Sequence, residues 1–319
     1  MLKALLLYMS KARWARRIVT RWPFARRAAA RFVAGDNLDE AIAAVRRLNA
    51  RGLNVTLDHL GENVSALADA LRATDDYLLL IDRICETDVR ANVSLKLTQL
   101  GLLLDLRACQ DNLTCIVRKA QACGGFVRVD VEDSPTIDQT FQIYRALRAR
   151  GFNNLGVAVQ SYLFRTADDV RGLADDGARI RLVKGAYREP PTLAFPRKKD
   201  VDASFDSVAR SIIDAAQAAG SQPVSPDGRV PPIMAVASHD PARLEAAKAY
   251  AARVGLPKQA LEFQMLYGIR QDLQEQLVSD GYPVRVYVPY GTEWYPYFVR
   301  RLAERPANVW FFLSHLVRG

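Results

Sequence analysis

The sequence predicts an α/β fold, a (β/α)8 barrel of the TIM type preceded by a helical arm. Three observations lead there. From residue 36 onward, eight short runs of β-branched or alternating character are separated by helical stretches, the arithmetic of such a barrel. Glycines 151, 177, 220, 255 and 281 stand between a helical stretch and the next strand, where a left-handed C′ residue is expected. No Gly-x-Gly-x-x-Gly follows any strand, so a doubly wound sheet with a Rossmann nucleotide site lacks its main signature.

The chain has 319 residues, half of them hydrophobic, enough for a large core. Residues 1–35 hold nine of the 44 Lys and Arg and no Asp or Glu, which leaves 35 basic against 35 acidic residues in the rest. The net charge of +9 therefore belongs to this arm and not to a groove across the fold, so nucleic acid is not an expected partner. The arm, 1–35, reads as helical, with Arg16, Arg17, Arg27 and Arg31 against apolar neighbours. Three readings compete for it: packing on its own barrel, contact with an anionic membrane surface, and a mitochondrial transit peptide. Packing with some membrane contact is favoured. The domain that follows is 36–319.

Asp36-Asn-Leu-Asp-Glu is a helix-capping signature and opens a helix that runs to about residue 51. The strands are expected at 53–58, 91–97, 126–131, 155–160, 178–183, 233–238, 261–265 and 284–289. Helices are expected at 62–85, 135–150, 200–219, 241–254 and 293–304, among others. Two connections are long. The one at 189–199 lies on the strand-to-helix side, where it could serve as a lid. The one at 221–232, with four prolines, lies on the opposite side and reads as structural.

Cys85, Cys109, Cys115 and Cys123 form no Cys-x-x-Cys pair, and only three histidines exist, so reduced thiols in a cytosolic protein and no metal site are expected. No apolar run approaches the ~20 residues of a membrane span.

Barrel enzymes do their chemistry at the C-terminal ends of the strands. Those ends read Asp58 and His59, Lys96, Asp130 and Glu132, Gln160, Arg181 and Lys184, Ser238 and His239, Glu262 and Gln264, and Tyr287. Polar groups inside apolar strands are costly unless paired. One or two could be satisfied core residues; one at nearly every strand end describes a wet, charged pocket. Arg181, deep in a strand, must face a polar partner. In the last helix Arg300 and Arg301 are adjacent, with Glu304 within one turn of both. Read alone they are a solvated helix face; beside the strand ends they become a wall suited to a small carboxylate.

The segments Val-Ser-Leu-Lys96-Leu-Thr-Gln-Leu-Gly, Arg128-Val-Asp130-Val-Glu-Asp-Ser, Gln160-Ser-Tyr-Leu-Phe-Arg-Thr, Arg181-Leu-Val-Lys184-Gly-Ala-Tyr187, Ala237-Ser-His-Asp and Glu262-Phe-Gln-Met-Leu-Tyr-Gly, with the stretch 285–306, resemble the motifs of proline dehydrogenases of the monofunctional bacterial type. They fall in family order over roughly residues 40–312. The resemblance implies an FAD enzyme that oxidises L-proline to Δ1-pyrroline-5-carboxylate and passes electrons to a membrane quinone. By this resemblance Arg300, Arg301 and Lys96 bind the substrate carboxylate, Glu304 orients the arginine pair, and Tyr287 packs on the ring and limits its size. Asp130 holds the network in register, and Arg181 stabilises negative charge at the flavin N5. Val131, Gln160, Arg181, Lys184, Gly185, Ala186, Ser238 and His239 contact FAD. Ser238 stands where the family commonly has Thr; the hydroxyl is kept and a methyl is lost.

The resemblance also implies a pyrroline-5-carboxylate dehydrogenase as a partner, and a cytoplasmic enzyme peripheral on the inner face of the membrane (the matrix side if eukaryotic). The residues by themselves leave two rivals. One is an aldolase-type barrel forming a Schiff base on Lys96 or Lys184. The other is a basic membrane-binding or nucleic-acid-binding module built on residues 1–35.

Overall fold

Alternation with period two decides the architecture. In Asn54-Val-Thr-Leu-Asp58, Asn92-Val-Ser-Leu-Lys96 and Arg128-Val-Asp130 every second side chain is polar, so each strand carries one polar and one apolar face. The protein, a computed structural model, is described for Val19 and residues 23–61 and 64–304. Eight parallel strands close into a barrel in sequential order: β1 (Asn54–His59), β2 (Ala91–Lys96), β3 (Val127–Asp130), β4 (Leu155–Gln160), β5 (Arg179–Val183), β6 (Met234–Ala237), β7 (Leu261–Leu266) and β8 (Val284–Tyr290). β1 pairs with β8 from Asn54 opposite Arg285 to His59 opposite Tyr290, which closes the ring. Every expected strand is present, with ends shifted by at most one residue.

The described helices are α1 (Pro23–Ala29), α2 (Leu38–Ala50), α3 (Leu67–Thr87), α4 (Leu106–Ala122), α5 (Ile137–Ala149), α6 (Thr166–Asp175), α7 (Lys198–Ala218), α8 (Pro241–Val254), α9 (Gln271–Ser279) and α10 (Trp294–Glu304). α2 starts two residues inside the expected capping signature: Asn37 is the cap, accepting from the Glu40 N–H at 3.0 Å, while the Asp36 N–H donates to the Glu40 carboxylate at 2.8 Å. α3 begins at Leu67, later than its expected start at residue 62, which falls outside the described residues. Gly255, the C-terminal cap of α8, has φ +75° as the sequence required.

The apolar faces point outward. Val55, Leu57, Val93, Leu95, Val127 and Val129 join Tyr77, Leu80, Ile84, Leu113 and Ile116 in one continuous core between sheet and helices. Each fully buried side chain of this kind contributes about 1.5–3 kcal/mol. The polar faces point inward, and small residues on β4 make room for them. A Cβ at Gly156 would stand 2.5 Å from the Arg179 carbonyl oxygen, 2.7 Å from Phe126 and 2.8 Å from Arg128 Nη1. The Arg128 guanidinium runs through that gap to the carbonyls of Val157 (3.1 Å) and Arg179 (2.5 Å).

The proline-rich connection 221–232 closes the N-terminal end of the barrel. Asn92 Nδ2 donates to the Arg229 carbonyl and Arg285 Nη2 to that of Gly228, each at 2.8 Å. At the other end the arm reaches the barrel mouth: the Ala34 N–H donates to the Pro289 carbonyl and the Gly291 N–H to that of Gly35, both at 2.9 Å. Ala25, Ala29, Phe32 and Val33 pack with Trp294, Tyr295, Phe298 and Leu302 of α10 in a second, smaller apolar cluster. The described part of the arm is thus joined to the last helix.

One expectation is corrected. Cys85, in the last turn of α3, and Cys123, at the end of α4, form a disulfide, with Cα atoms 6.1 Å apart. Neighbouring helices bring their C-termini together across 38 residues of chain, a proximity that local cysteine spacing does not encode. Cys109 and Cys115 are unpaired thiols, the first buried and the second exposed.

Candidate active site

The inward polar faces meet in a bonded network. Asp58 at the end of β1 is 1% exposed. Its Oδ2 accepts from Lys96 Nζ of β2 at 3.2 Å and from the Tyr287 hydroxyl of β8 at 2.7 Å, and the Tyr77 hydroxyl of α3 lies 3.3 Å from Oδ1. The Tyr287 hydroxyl also lies 3.2 Å from Asp130 Oδ2. Asp130 Oδ1 accepts from Arg181 Nη1 at 2.6 Å, and Ser94 Oγ bonds both Asp130 (3.0 Å) and Arg181 (3.1 Å). The guanidinium of Arg181 stands 5.3 Å over the Tyr287 ring. Lys96, Asp130, Arg181 and Tyr287, which the sequence nominated, are therefore one cluster.

The network continues towards the closed end. Arg181 Nε donates to Gln264 Oε1 at 2.6 Å, Gln264 Nε2 to Glu262 at 2.6 Å, and Glu262 pairs with Arg285 at 3.0 Å, both fully buried. Glu262 can only accept, so it turns the amide of Gln264 to present its oxygen to Arg181. Burial pushes the Asp58 carboxyl up, against the opposing pull of Lys96 and Tyr287. Burial, then the Asp58 and Asp130 charges, push the Tyr287 phenol well above its ordinary value, so it stays a hydrogen-bond donor.

A second group lines the mouth at β4 to β6. Gln160 Nε2 donates to the carbonyls of Val131 (3.3 Å) and Glu132 (2.7 Å), and its Oε1 accepts from the Ala186 N–H at 3.3 Å. Gly185 and Ala186 are exposed. Gly185 has φ +126°, and a Cβ there would collide with the Tyr162 ring, so its glycine answers to Tyr162 as well as to backbone shape. Lys184 Nζ is held by Asp202 (2.5 Å) and Asp240 (2.8 Å). Ser238 Oγ accepts from the Asp240 N–H (3.1 Å), and His239 Nε2 accepts from the Leu266 N–H (2.9 Å), as a scaffold histidine does. His59 lies with Nδ1 3.5 Å from Asp76.

Arg300 and Arg301 lie on α10, half-buried, with Arg301 5.0 Å over the Tyr297 ring. Glu304 ends that helix, and its side chain lies outside the described residues. Sequence reading placed Asp58 and Gln264 among the polar strand ends without assigning either its own role, and it did not single out Ser94 or Tyr77. Ser94 shares the inward face of β2 with Lys96 and could have been found by its spacing of two. Tyr77 is one aromatic among many on an amphipathic helix and carries no such signal. Among the described residues no group of three or more His, Cys, Asp or Glu is placed to hold a metal.

A closed (β/α)8 barrel with a buried carboxylate–cation network at the C-terminal ends of its strands defines a barrel enzyme acting on a small charged substrate. The family model of proline dehydrogenase matches residues 41–313, and the chain belongs to that family. It is 39% identical over 290 residues to proline dehydrogenase 1 of Bacillus subtilis (strain 168), covering 91% of each chain. It is 39% identical over 295 residues to proline dehydrogenase of Deinococcus radiodurans, covering 91% of this chain and 90% of that one. Among solved structures it is similar to proline utilization A (PutA) from Bdellovibrio bacteriovorus inactivated by N-propargylglycine, with TM-score 0.78 and 25% identity. That likeness covers 88% of this chain and 33% of the other, so this chain spans about a third of that protein. The chain is a proline dehydrogenase, an oxidoreductase of proline catabolism.

Proposed function

We propose that the chain oxidises L-proline to Δ1-pyrroline-5-carboxylate with FAD and passes the electrons to a membrane quinone. The observation that carries this reading is Arg181, a guanidinium 4% exposed, bonded to Asp130 and facing the ring of Tyr287. A buried cation at a strand end suits a ring that gains negative charge when reduced. The residues around it fit FAD by their chemistry: the amide of Gln160, the hydroxyl of Ser238, the imidazole of His239, and the open turn of Lys184, Gly185 and Ala186, with Val131 beside Gln160. FAD bound there supplies the acceptor for the hydride equivalent leaving proline C5.

The chain's own residues then have to bind and orient. Arg300 and Arg301 grip the carboxylate, bidentate geometry fixing the ring's direction. Lys96 adds a third cation, Tyr287 packs on the ring, Glu304 orients the arginine pair, and Asp130 keeps Arg181 aimed at the ring. The domain division, an arm over 1–35 and a catalytic barrel over 36–319, belongs to the same reading.

Contact with a membrane is supported by the rim of the barrel. Leu67 and Leu71 at the start of α3 and Leu103 and Leu104 after β2 are 43–71% exposed, on the same end that receives the acid-free basic arm. Apolar tips beside cationic charge suit an anionic bilayer. Among the described residues no helix is long and apolar enough to cross one. The product would pass to a pyrroline-5-carboxylate dehydrogenase; the bifunctional protein PutA of Escherichia coli is 27% identical to this chain over a match that covers 88% of this chain and 23% of PutA.

A visible absorption spectrum of the purified protein, before and after L-proline, tests the reading. Flavin bands that bleach on addition are expected. A colourless protein, or one trapped on Lys96 or Lys184 by borohydride, would overturn it in favour of an aldolase-type barrel.

A further inference from the structure

We propose that Asp58 is a positioning residue for proline oxidation, one carboxylate that fixes Lys96 and Tyr287 relative to each other. The inference rests on the reading of Lys96 and Tyr287 as substrate-binding residues and assigns the group that places them. Three elements deliver donors to this carboxylate. β2 brings Lys96 Nζ and β8 brings the Tyr287 hydroxyl, both to the same oxygen, Oδ2. α3 brings the Tyr77 hydroxyl towards Oδ1, and that hydroxyl is also 3.1 Å from the Ser94 carbonyl and 3.2 Å from Gln99 Oε1. Gln99 in turn accepts from the Lys96 N–H (3.0 Å) and donates to the His59 carbonyl (2.9 Å). The ends of β1 and β2 are thereby tied by backbone as well as by side chain.

The geometry makes Asp58 more than a neutral spacer. A lysine on a four-carbon stem has about 2 kcal/mol of rotamer entropy to lose, so an ammonium offered to a small substrate needs a fixed partner. Asp58 is that partner and lies behind the pocket, almost fully excluded from water. The same oxygen holds the tip of Tyr287, so the phenol ring cannot swing without also releasing the lysine's acceptor. One carboxylate thereby couples the carboxylate-binding side of the pocket to its size limit. Among the described residues, the other charged and titratable groups facing it include Asp130 (through Tyr287), Tyr77 and Tyr290.

The two functions separate by substitution in the flavin-loaded enzyme. Asp58→Asn keeps an acceptor for Tyr287 and loses the charge opposite Lys96. Its proline KM is expected to rise about tenfold with kcat within about threefold, and its preference for proline over hydroxyproline to persist. Asp58→Ala loses both contacts; its KM should rise at least as far and its preference for proline should fall about fivefold or more. Calorimetric titration with a five-membered ring carboxylate that lacks the amine should show the same loss of binding without turnover. The double variant Asp58→Asn, Lys96→Met is expected to match Lys96→Met alone within about twofold in KM, because the pair acts as a unit.

Unchanged KM and unchanged ring preference in both single variants would overturn the proposal. So would KM costs that multiply in the double variant, or a loss of flavin content and kcat at constant KM, the mark of a merely structural residue. Should Asp58→Ala fail to fold, the near-isosteric Asn variant and the charge-neutral double variant decide the matter. Wild-type protein that fails to oxidise proline would refute the functional reading instead, and so separates the two failures.

Discussion

The Tyr287 hydroxyl donates to Asp58 across the seam where β8 meets β1, over 2.7 Å, and the same hydroxyl is 3.2 Å from Asp130. A tyrosine is thereby held between two carboxylates, with its ring under the guanidinium of Arg181. Tyr287→Ser removes the ring and opens the space it fills. Hydroxyproline should then be oxidised better relative to proline, the ratio of kcat/KM values moving by about tenfold, the scale of one lost steric contact. Steady-state kinetics with both substrates measures it, and an unchanged ratio removes Tyr287 from the role of size gate.

Arg301→Met takes away one half of the arginine pair while keeping most of its apolar stem. Loss of a charge-assisted contact to a carboxylate costs about 1.5–3 kcal/mol, which corresponds to a rise in proline KM of about ten- to a hundredfold. Flavin content should stay at wild-type level, because the residues read as flavin-binding lie on β4 and β5 and in the turns after β3, β5 and β6, not on α10. A KM within about twofold of wild type would sink the clamp.

The pH dependence of stability follows from Asp58. Its carboxyl is pushed above the ordinary value of an aspartate by burial, so the folded state holds this proton more tightly than the unfolded chain. Folding stability therefore falls as pH rises from the ordinary carboxylate range through the raised value, and the penalty is fully present above it. Asp58→Asn removes that dependence. Denaturant midpoints measured from about pH 4 upward should fall less steeply for the variant than for wild type; parallel curves would show that the carboxyl is not raised.

Gly156 is required by its neighbours. Gly156→Ala would place a methyl 2.5 Å from the Arg179 carbonyl oxygen and 2.7 Å from Phe126. Backbone on one side and a buried arginine on the other leave little room to give, so overpacking should destabilise by about 1–3 kcal/mol. Chemical denaturation reads this directly, and a neutral result would mean that β4 shifts to accept the methyl.

The Cys85–Cys123 bond closes a loop of 38 residues that contains β2. Cys85→Ala is expected to lower stability by about 2–4 kcal/mol under non-reducing conditions. Reductant should produce the same drop in wild type and none in the variant. Proline KM should not change, because the bond sits at the helix C-termini, opposite the pocket mouth.

Much of the fold was legible in the chain. The alternation of polar and apolar residues in β1, β2 and β3 depends only on the two-residue period of a strand, so it survives as a readable pattern. The C′ glycines after helices depend on a local backbone shape, and Gly255 bears them out with φ +75°. The site was legible as a set of strand ends, since barrel closure brings those ends to one face whatever the details. The partners were not. Lys184 lies between Asp202 and Asp240, and Cys85 meets Cys123, through contacts that no local spacing predicts. Packing of the arm on its own barrel was the favoured reading, but its partner was not legible: the described part of the arm packs on α10 at the barrel mouth.

The sequence by itself determined the eight strands, their polar inner faces, and the residues able to line a pocket for a small anion. Only the tertiary structure decided which carboxylate faces which cation. Asp58 is 38 residues from Lys96 and 229 from Tyr287, yet one of its oxygens accepts from both. That choice is made by barrel closure, which sets β1 between β2 and β8 and buries the carboxylate within reach of both donors.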